Sequence, residues 1–333
     1  MEAGGGVGLR LPGTLWRGPA TRRTHDGRVP PVHEHPRDLV GYGAEPPHAA
    51  WPGGARVAVS LVLNYEEGGE RNVLEGDATS EAYLHELVGA PPVSGGRDLN
   101  VESMFAYGSR AGFWRVHRTL AAHGAPLTVH AVAQALARNP DAARAMAAAG
   151  WEVASHGWRW IDYRDVPEEV ERADVARSVS TIERLVGRRP VGWYTGRTSP
   201  RTRHLVAEDG GFLYDSDDYS DDLPFYVEAG GRPHLVLPYS LDANDFKFLL
   251  VHGFTTADDM LSYLVDTFDT LRAEGADRPR MMSVGMHCRI IGRPGRIRVL
   301  DGFLRHVAQR GGAWITTREQ IARHWLTTHP PPH

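Results

Sequence analysis

With a single cysteine, Cys288, among 333 residues, the chain can form no intramolecular disulfide and no four-cysteine zinc site, and it suits a reducing compartment. Long apolar runs are missing too. Stretches such as residues 57–63 are far too short to span a bilayer, and the first 35 residues lack the apolar core of a secretion signal. A cytoplasmic protein without membrane attachment is therefore expected. Nor is one charge in excess: the formal net charge is −4, and the arginines at 188–189 and between 293 and 298 form short, interrupted groups. That argues against a nucleic-acid partner.

The 41% hydrophobic and 23% charged composition is that of a globular protein, with length enough for one large α/β domain. Residues 1–35 are rich in Gly, Pro, Arg and Thr without periodicity and read as a flexible leader, leaving residues 36–329 as a single catalytic domain. Within it, short β-branched or apolar runs at 56–63, 127–132, 151–155, 191–195, 212–215, 234–237, 281–287 and 313–315 read as buried parallel strands. Helical spacing fills the gaps between them. In Glu168–Val186 the apolar residues Val175, Val179, Ile182 and Val186 share a face ahead of Gly187, a second helix is expected at 300–309, and Thr317 with Gln320 forms a capping-box pattern opening a last helix. Such alternation predicts a closed or nearly closed α/β barrel, whose chemistry belongs at the carboxyl ends of the strands.

Five strand ends carry candidate residues. After the first strand, Asn64-Tyr65-Glu66-Glu67-Gly68 sets two adjacent carboxylates beside a turn. Mutual repulsion should leave one of them protonated to higher pH, as a general base or acid/base partner requires, although two solvated loop glutamates would read the same way. Next come His156, followed by Arg159 and Trp160, and then Trp193-Tyr194-Thr195-Gly196-Arg197, where the guanidinium of Arg197 could fork onto a planar, oxygen-bearing substrate. A lone histidine is as often a structural donor as a ligand or acid. The run of five aspartates from Asp215 to Asp222 includes Asp217 and lacks the distal glutamate of a calcium loop. Finally, His287-Cys288-Arg289 with Arg293 sets a histidine beside cations, which favours a neutral, proton-shuttling imidazole. Cys288 should point away from His287 on the same strand and is not the expected nucleophile.

In order and spacing these segments resemble the motifs of the polysaccharide deacetylases, the NodB homology group of the carbohydrate esterases. That resemblance implies a distorted (β/α)7 barrel. In those enzymes an aspartate and two histidines hold a divalent metal; the corresponding residues here are Glu67, His156 and Trp160. Two usable ligands are fewer than catalytic zinc generally requires. The altered pattern is similar to that of the metal-independent bacterial allantoinases of the same fold, through long strings such as Leu63-Asn64-Tyr65-Glu66-Glu67-Gly68-Gly69-Glu70-Arg71 and Arg189-Pro190-Val191-Gly192-Trp193-Tyr194-Thr195-Gly196-Arg197.

The resemblance implies hydrolysis of the ring amide of allantoin to allantoate, in purine and urate degradation, without cofactor or metal. Glu66 would be the base, its proton affinity raised by Glu67, and His287 the acid. Arg197 or Arg293 would supply oxyanion donors. Trp160, Arg159, Tyr194 and Arg289 would contact substrate, while Asp215 and Asp217 would orient His287, bind ureido nitrogens or cap a strand. The expected partner is a small molecule; assembly into a homo-oligomer stays open. The alternative expectation is a zinc-dependent amide hydrolase acting on N-acetyl sugars or cyclic imides.

Overall fold

The computed structural model describes residues 37–331, so the leader expected over residues 1–35 lies outside the described residues. The chain divides into a short unit, Met1–Ala44, and a large one, Glu45–His333. In the short unit the Asp38 side chain accepts from the N–H groups of Val40 and Gly41, closing a turn. Everything that follows concerns the large unit.

Its elements run β1 (Val57–Tyr65), α1 (Leu99–Tyr107), α2 (Phe113–His123), β2 (Thr128–Ala131), α3 (Ala133–Arg138), α4 (Pro140–Ala148), β3 (Glu152–Ser155), α5 (Glu168–Val186), β4 (Gly192–Trp193) and α6 (Thr202–Asp209). They continue with β5 (Tyr214–Asp215), β6 (Phe225–Ala229), β7 (Arg232–Val236), α7 (Ala257–Glu274), β8 (Arg280–His287), α8 (Arg298–Arg310), β9 (Ala313–Thr316) and α9 (Arg318–Thr328). The sheet order is β6-β7-β5-β4-β3-β2-β1-β8, and β9 pairs with β1. Every pairing is parallel except β6 with β7.

The sheet curls into an open, distorted α/β half-barrel. β1, paired on both edges, is buried along its whole length, which is why its sequence reads as a continuous apolar run rather than an alternation. One edge of β1 takes β8 over residues 57–64; the other takes β9 over 57–60 and β2 over 62–65. The free edge of β8 is capped by single bonds from Met281 N–H to Asp222 O and from Gly285 N–H to Ala243 O. Helices cover the outer face. Arg318, fully buried just after β9, donates to Ser216, Ser283 and the carbonyls of Leu237 and Pro238.

Local sequence explains several boundaries. α5 ends at Gly187 in the left-handed region, and α9 begins with the predicted Thr317/Gln320 capping box. The strand β6 went unpredicted. It is a hairpin partner added to β7 at the sheet edge, half exposed, and so lacks the apolar run that marks the buried strands.

Candidate active site

Glu66 and Glu67 leave the end of β1 in opposite directions. Glu66, 1% exposed, has one carboxylate oxygen 2.7 Å from Arg289 Nη2 and the other 3.3 Å from His156 Nε2 and 3.5 Å from His287 Nε2. Burial alone would push its carboxyl up; the charges of Arg289 and His287 outweigh this and hold it well below the usual carboxylate range. Glu67 points outward, toward α1. Its carboxylate accepts from the backbone N–H groups of Glu66 and Arg289, and burial, helped by the Glu66 charge, raises it against the pull of Arg289. A π-type turn at Gly108–Gly112 passes so close that a Cβ at Gly108 would collide with this carboxylate. The pair therefore does split in proton affinity, but in the opposite sense to the sequence expectation. Glu66 is the ionised member, because only Glu66 faces a cation on each side.

His287 ends β8 with its ring between two carboxylates. Nδ1 lies 2.6 Å from Asp245 Oδ1, and Asp245 Oδ2 accepts from the backbone N–H groups of His287 and Ile291. Burial works to lower the imidazole; Glu66 and Asp245 outweigh it and raise it to about 9. The neutral imidazole expected from neighbouring arginines is thus corrected to an imidazolium. Arg289 and Arg293 turn away from the ring, and the nearest charges are anionic. Sequence reasoning missed Asp245. Its only local mark is Asn244, whose side chain caps the short helical turn Asp245–Leu249, and it follows no strand.

His156 ends β3, with neither ring nitrogen in a hydrogen bond. Behind it, fully buried His130 stacks on Tyr194 at 4.7 Å, also with both nitrogens unpaired. A cavity of about 120 Å³ opens beside these groups. Asn64, Glu66, His156, Asn244 and His287, with Arg197, supply its polar lining, and Tyr83, Leu84, Trp160, Tyr194, Tyr219, Tyr239, Leu241 and Phe246 most of the rest. Drug-sized pockets are several times larger, so this one fits a compact substrate.

The remaining sequence candidates divide. Trp160 and Tyr194 wall the cavity, and Arg197 reaches its rim. The fork of Arg197 is already taken: Nη1 and Nη2 face Glu81 at 3.2 and 3.4 Å, and its plane stacks 3.8 Å from the Trp160 ring centre. Arg159 pairs with Asp77 and the Glu70 carbonyl, outside the cavity. Arg293 lies over Tyr107 and donates to the Arg289 carbonyl, which removes it as an oxyanion donor. Arg289, 2% exposed, meets Glu66, Glu67 and the Leu84 carbonyl rather than the cavity. Asp215 binds Arg203 and His234, and neither it nor Asp217 touches His287. Asp217 instead accepts from the N–H groups of Thr195 and Gly196, and burial with the nearby Asp215 charge pushes it up to about 7. Cys288 is buried on the far side of the strand, and burial pushes its thiol up.

A divalent cation does not fit the residues present. Among the described residues no group of three His, Cys, Asp or Glu side chains converges on a metal position. Glu67 faces away, Trp160 has no lone pair to offer, and the Arg289 guanidinium already supplies the positive charge beside both glutamates.

Residues 97–211 match a family model described as Polysaccharide deacetylase. A Schizosaccharomyces pombe protein named "Putative polysaccharide deacetylase" is 42% identical over 313 residues, covering 88% of this chain and 98% of that protein. Among solved structures, PuuE allantoinase aligns with 53% identity and a TM-score of 0.88 over 90% of this chain and all of that one. A Pseudomonas aeruginosa PAO1 protein named probable polysaccharide deacetylase aligns with 52% identity and a TM-score of 0.87 over the same shares.

Proposed function

The chain belongs to the polysaccharide deacetylase family of hydrolases, and from that premise we propose that it hydrolyses the ring amide of allantoin to allantoate, a step of purine degradation. One observation carries this reading. An ionised carboxylate and an imidazolium meet across 3.5 Å in a cavity of about 120 Å³ whose donor set does not suit a metal. The 53% identity to a protein named PuuE allantoinase supports it.

The chemistry follows from the charges. Water entering beside Glu66 gives a proton to the carboxylate as its oxygen bonds to the ring carbonyl carbon. The carbonyl oxygen takes the negative charge and accepts a hydrogen bond from His156, whose ring makes no hydrogen bond and touches Glu66 at 3.3 Å. As the carbon–nitrogen bond breaks, the Nε2 proton of His287 passes to the departing nitrogen, leaving a carboxylic acid and a urea N–H. The proton held on Glu66 then returns to His287 across their contact. Arg289 and Asp245 keep the two partners in opposite charge states, and Trp160 and Tyr194 offer flat walls to a planar ring.

The names of two relatives favour a second reading, a metal-dependent deacetylase of N-acetyl sugars. It would need a third ligand and a wider cleft. The test is a panel of allantoin, cyclic imides and N-acetylglucosamine oligomers, run with and without exhaustive chelation. Allantoin opening that survives chelation supports the proposal; acetate release that requires added zinc, with no allantoin turnover, overturns it.

A further inference from the structure

The 79–94 loop has no regular secondary structure, yet it is closed at its base and clamped at its inner face. The base is a bridge between Thr79 and Ser94, reinforced by Ser80 N–H to Val93 O, Gly95 N–H to Ala78 O and Val93 N–H to Ser80 Oγ. Between those ends the chain turns Tyr83 and Leu84 onto the cavity, while Leu87 and Val88, farther along, stay exposed.

Two clamps hold it down. Glu81 is only 4% exposed, and its side chain does three things at once. One oxygen accepts from the N–H groups of Ala82 and Tyr83, and both face the Arg197 guanidinium. Arg197 in turn lies on Trp160, whose ring stacks with Tyr83 at 6.1 Å and 23°. The second clamp is the Leu84 carbonyl, which accepts from Arg289 Nε at 2.9 Å. Leu84 adopts a φ of 53°, a left-handed conformation that a leucine holds only when its surroundings impose it. A buried carboxylate and a strained leucine are thus both committed to seating a segment that packs little core of its own.

We propose that Glu81 is a positioning residue which, through Arg197, fixes Tyr83 and Leu84 as the specificity-determining wall of the pocket. The wall lines the same cavity as Trp160, and Leu84 delivers its carbonyl to the same arginine that charges Glu66. Seating the loop therefore shapes the pocket and completes the cage around Arg289 together. A compact planar substrate is enclosed when the wall is seated; a bulky chain such as an oligosaccharide would have to displace it. The kinetic arm of the test below rests on the allantoin reading, while the proteolytic arm does not.

The experiment compares wild type with Glu81→Ala and Glu81→Gln. Each is assayed for allantoin turnover and for the rate of chymotrypsin cleavage after Tyr83 or Leu87. In Glu81→Ala the KM should rise about tenfold with a smaller fall in kcat, because a mobile wall costs binding more than chemistry. Cleavage should accelerate at least tenfold. Glu81→Gln, which keeps the acceptor for Ala82, Tyr83 and Arg197, should restore most of both. If Glu81→Ala does not fold, Arg197→Lys opens the same clamp from the other side and should show the same pattern. An unchanged KM together with unchanged cleavage overturns the proposal, as does a fall in kcat alone. Absence of allantoin turnover in the wild type would instead sink the substrate reading, and the cleavage rates would still decide the role of Glu81.

Discussion

Nδ1 of His287 lies 2.6 Å from Oδ1 of Asp245, a buried contact in which the ring donates and the carboxylate accepts. It makes His287 an acid rather than a shuttle, and it gives a pH dependence with a definite sign. A histidine raised to about 9 is protonated, and competent to donate, below that pH. Turnover should therefore hold through neutrality and fall as pH rises through about 9. Asp245→Asn removes one of the two anions, so the alkaline limb should move toward lower pH and kcat at pH 7.5 should fall about 100-fold. A pH–rate profile of the two proteins checks this; coincident alkaline limbs would exclude Asp245 as the cause.

The same shift bears on stability. The folded-state value lies above the ordinary histidine value of 6.5, so the pair's contribution is fully present below about 6.5 and is lost as pH rises through about 9. Melting temperatures at pH 6 and pH 10 should differ more for wild type than for Asp245→Asn.

Arg289 is the cation that keeps Glu66 ionised. Replacing it with Met leaves buried Glu67 without a countercharge and Glu66 with only the His287 imidazolium, at a stability cost of about 3–5 kcal/mol. Glu66 should then climb from its depressed value, moving the acid limb of the pH–rate profile upward into the range where wild type is fully active. Denaturant melts measure the first effect and kinetics between pH 4 and 7 the second. A folded Arg289→Met protein with an unmoved acid limb would contradict the ion-pair account.

The barrel was legible because its strands are buried on both faces and its helices are capped by local signals, so residues such as Val175, Gly187 and Thr317 carry the pattern in their own neighbourhoods. Positions of Glu66, His156, Trp160 and His287 followed from the rule that chemistry sits at strand ends. Charge state did not follow, because it depends on partners far away in the chain. Asp245 is 42 residues from His287, and Arg289 is 222 residues from Glu67. Nor did the partners of the arginines follow. Arg159, Arg197, Arg289 and Arg293 each find a carboxylate or carbonyl of this chain, and a sequence does not reveal which guanidinium has already been satisfied.

The two glutamates should separate cleanly by mutation. Glu66→Gln removes the carboxylate in contact with both His156 and His287 and should lower kcat by at least 100 to 1,000-fold. Glu67→Gln keeps an acceptor for one of the Glu66 and Arg289 N–H groups, which bond different oxygens of the carboxylate, and replaces a side chain already biased toward its neutral form. Its kcat should fall less than about tenfold. Equal losses in the two variants would mean that the base is shared between them.

Restoring the missing histidine tests whether ligand count or charge excludes the metal. Trp160→His would return the histidine that the deacetylase pattern carries, beside His156 and Glu67. Zinc should nevertheless bind weakly, because Glu67 faces away from the cavity and the Arg289 guanidinium repels a dication from the space between the glutamates. Adding Arg289→Met removes that repulsion and frees Glu66 as a further oxygen ligand. Zinc titration by calorimetry should therefore give no stoichiometric binding for wild type or Trp160→His, and measurable binding for the double variant. Stoichiometric zinc in Trp160→His alone would show that the indole, not the guanidinium, is what keeps the ion out.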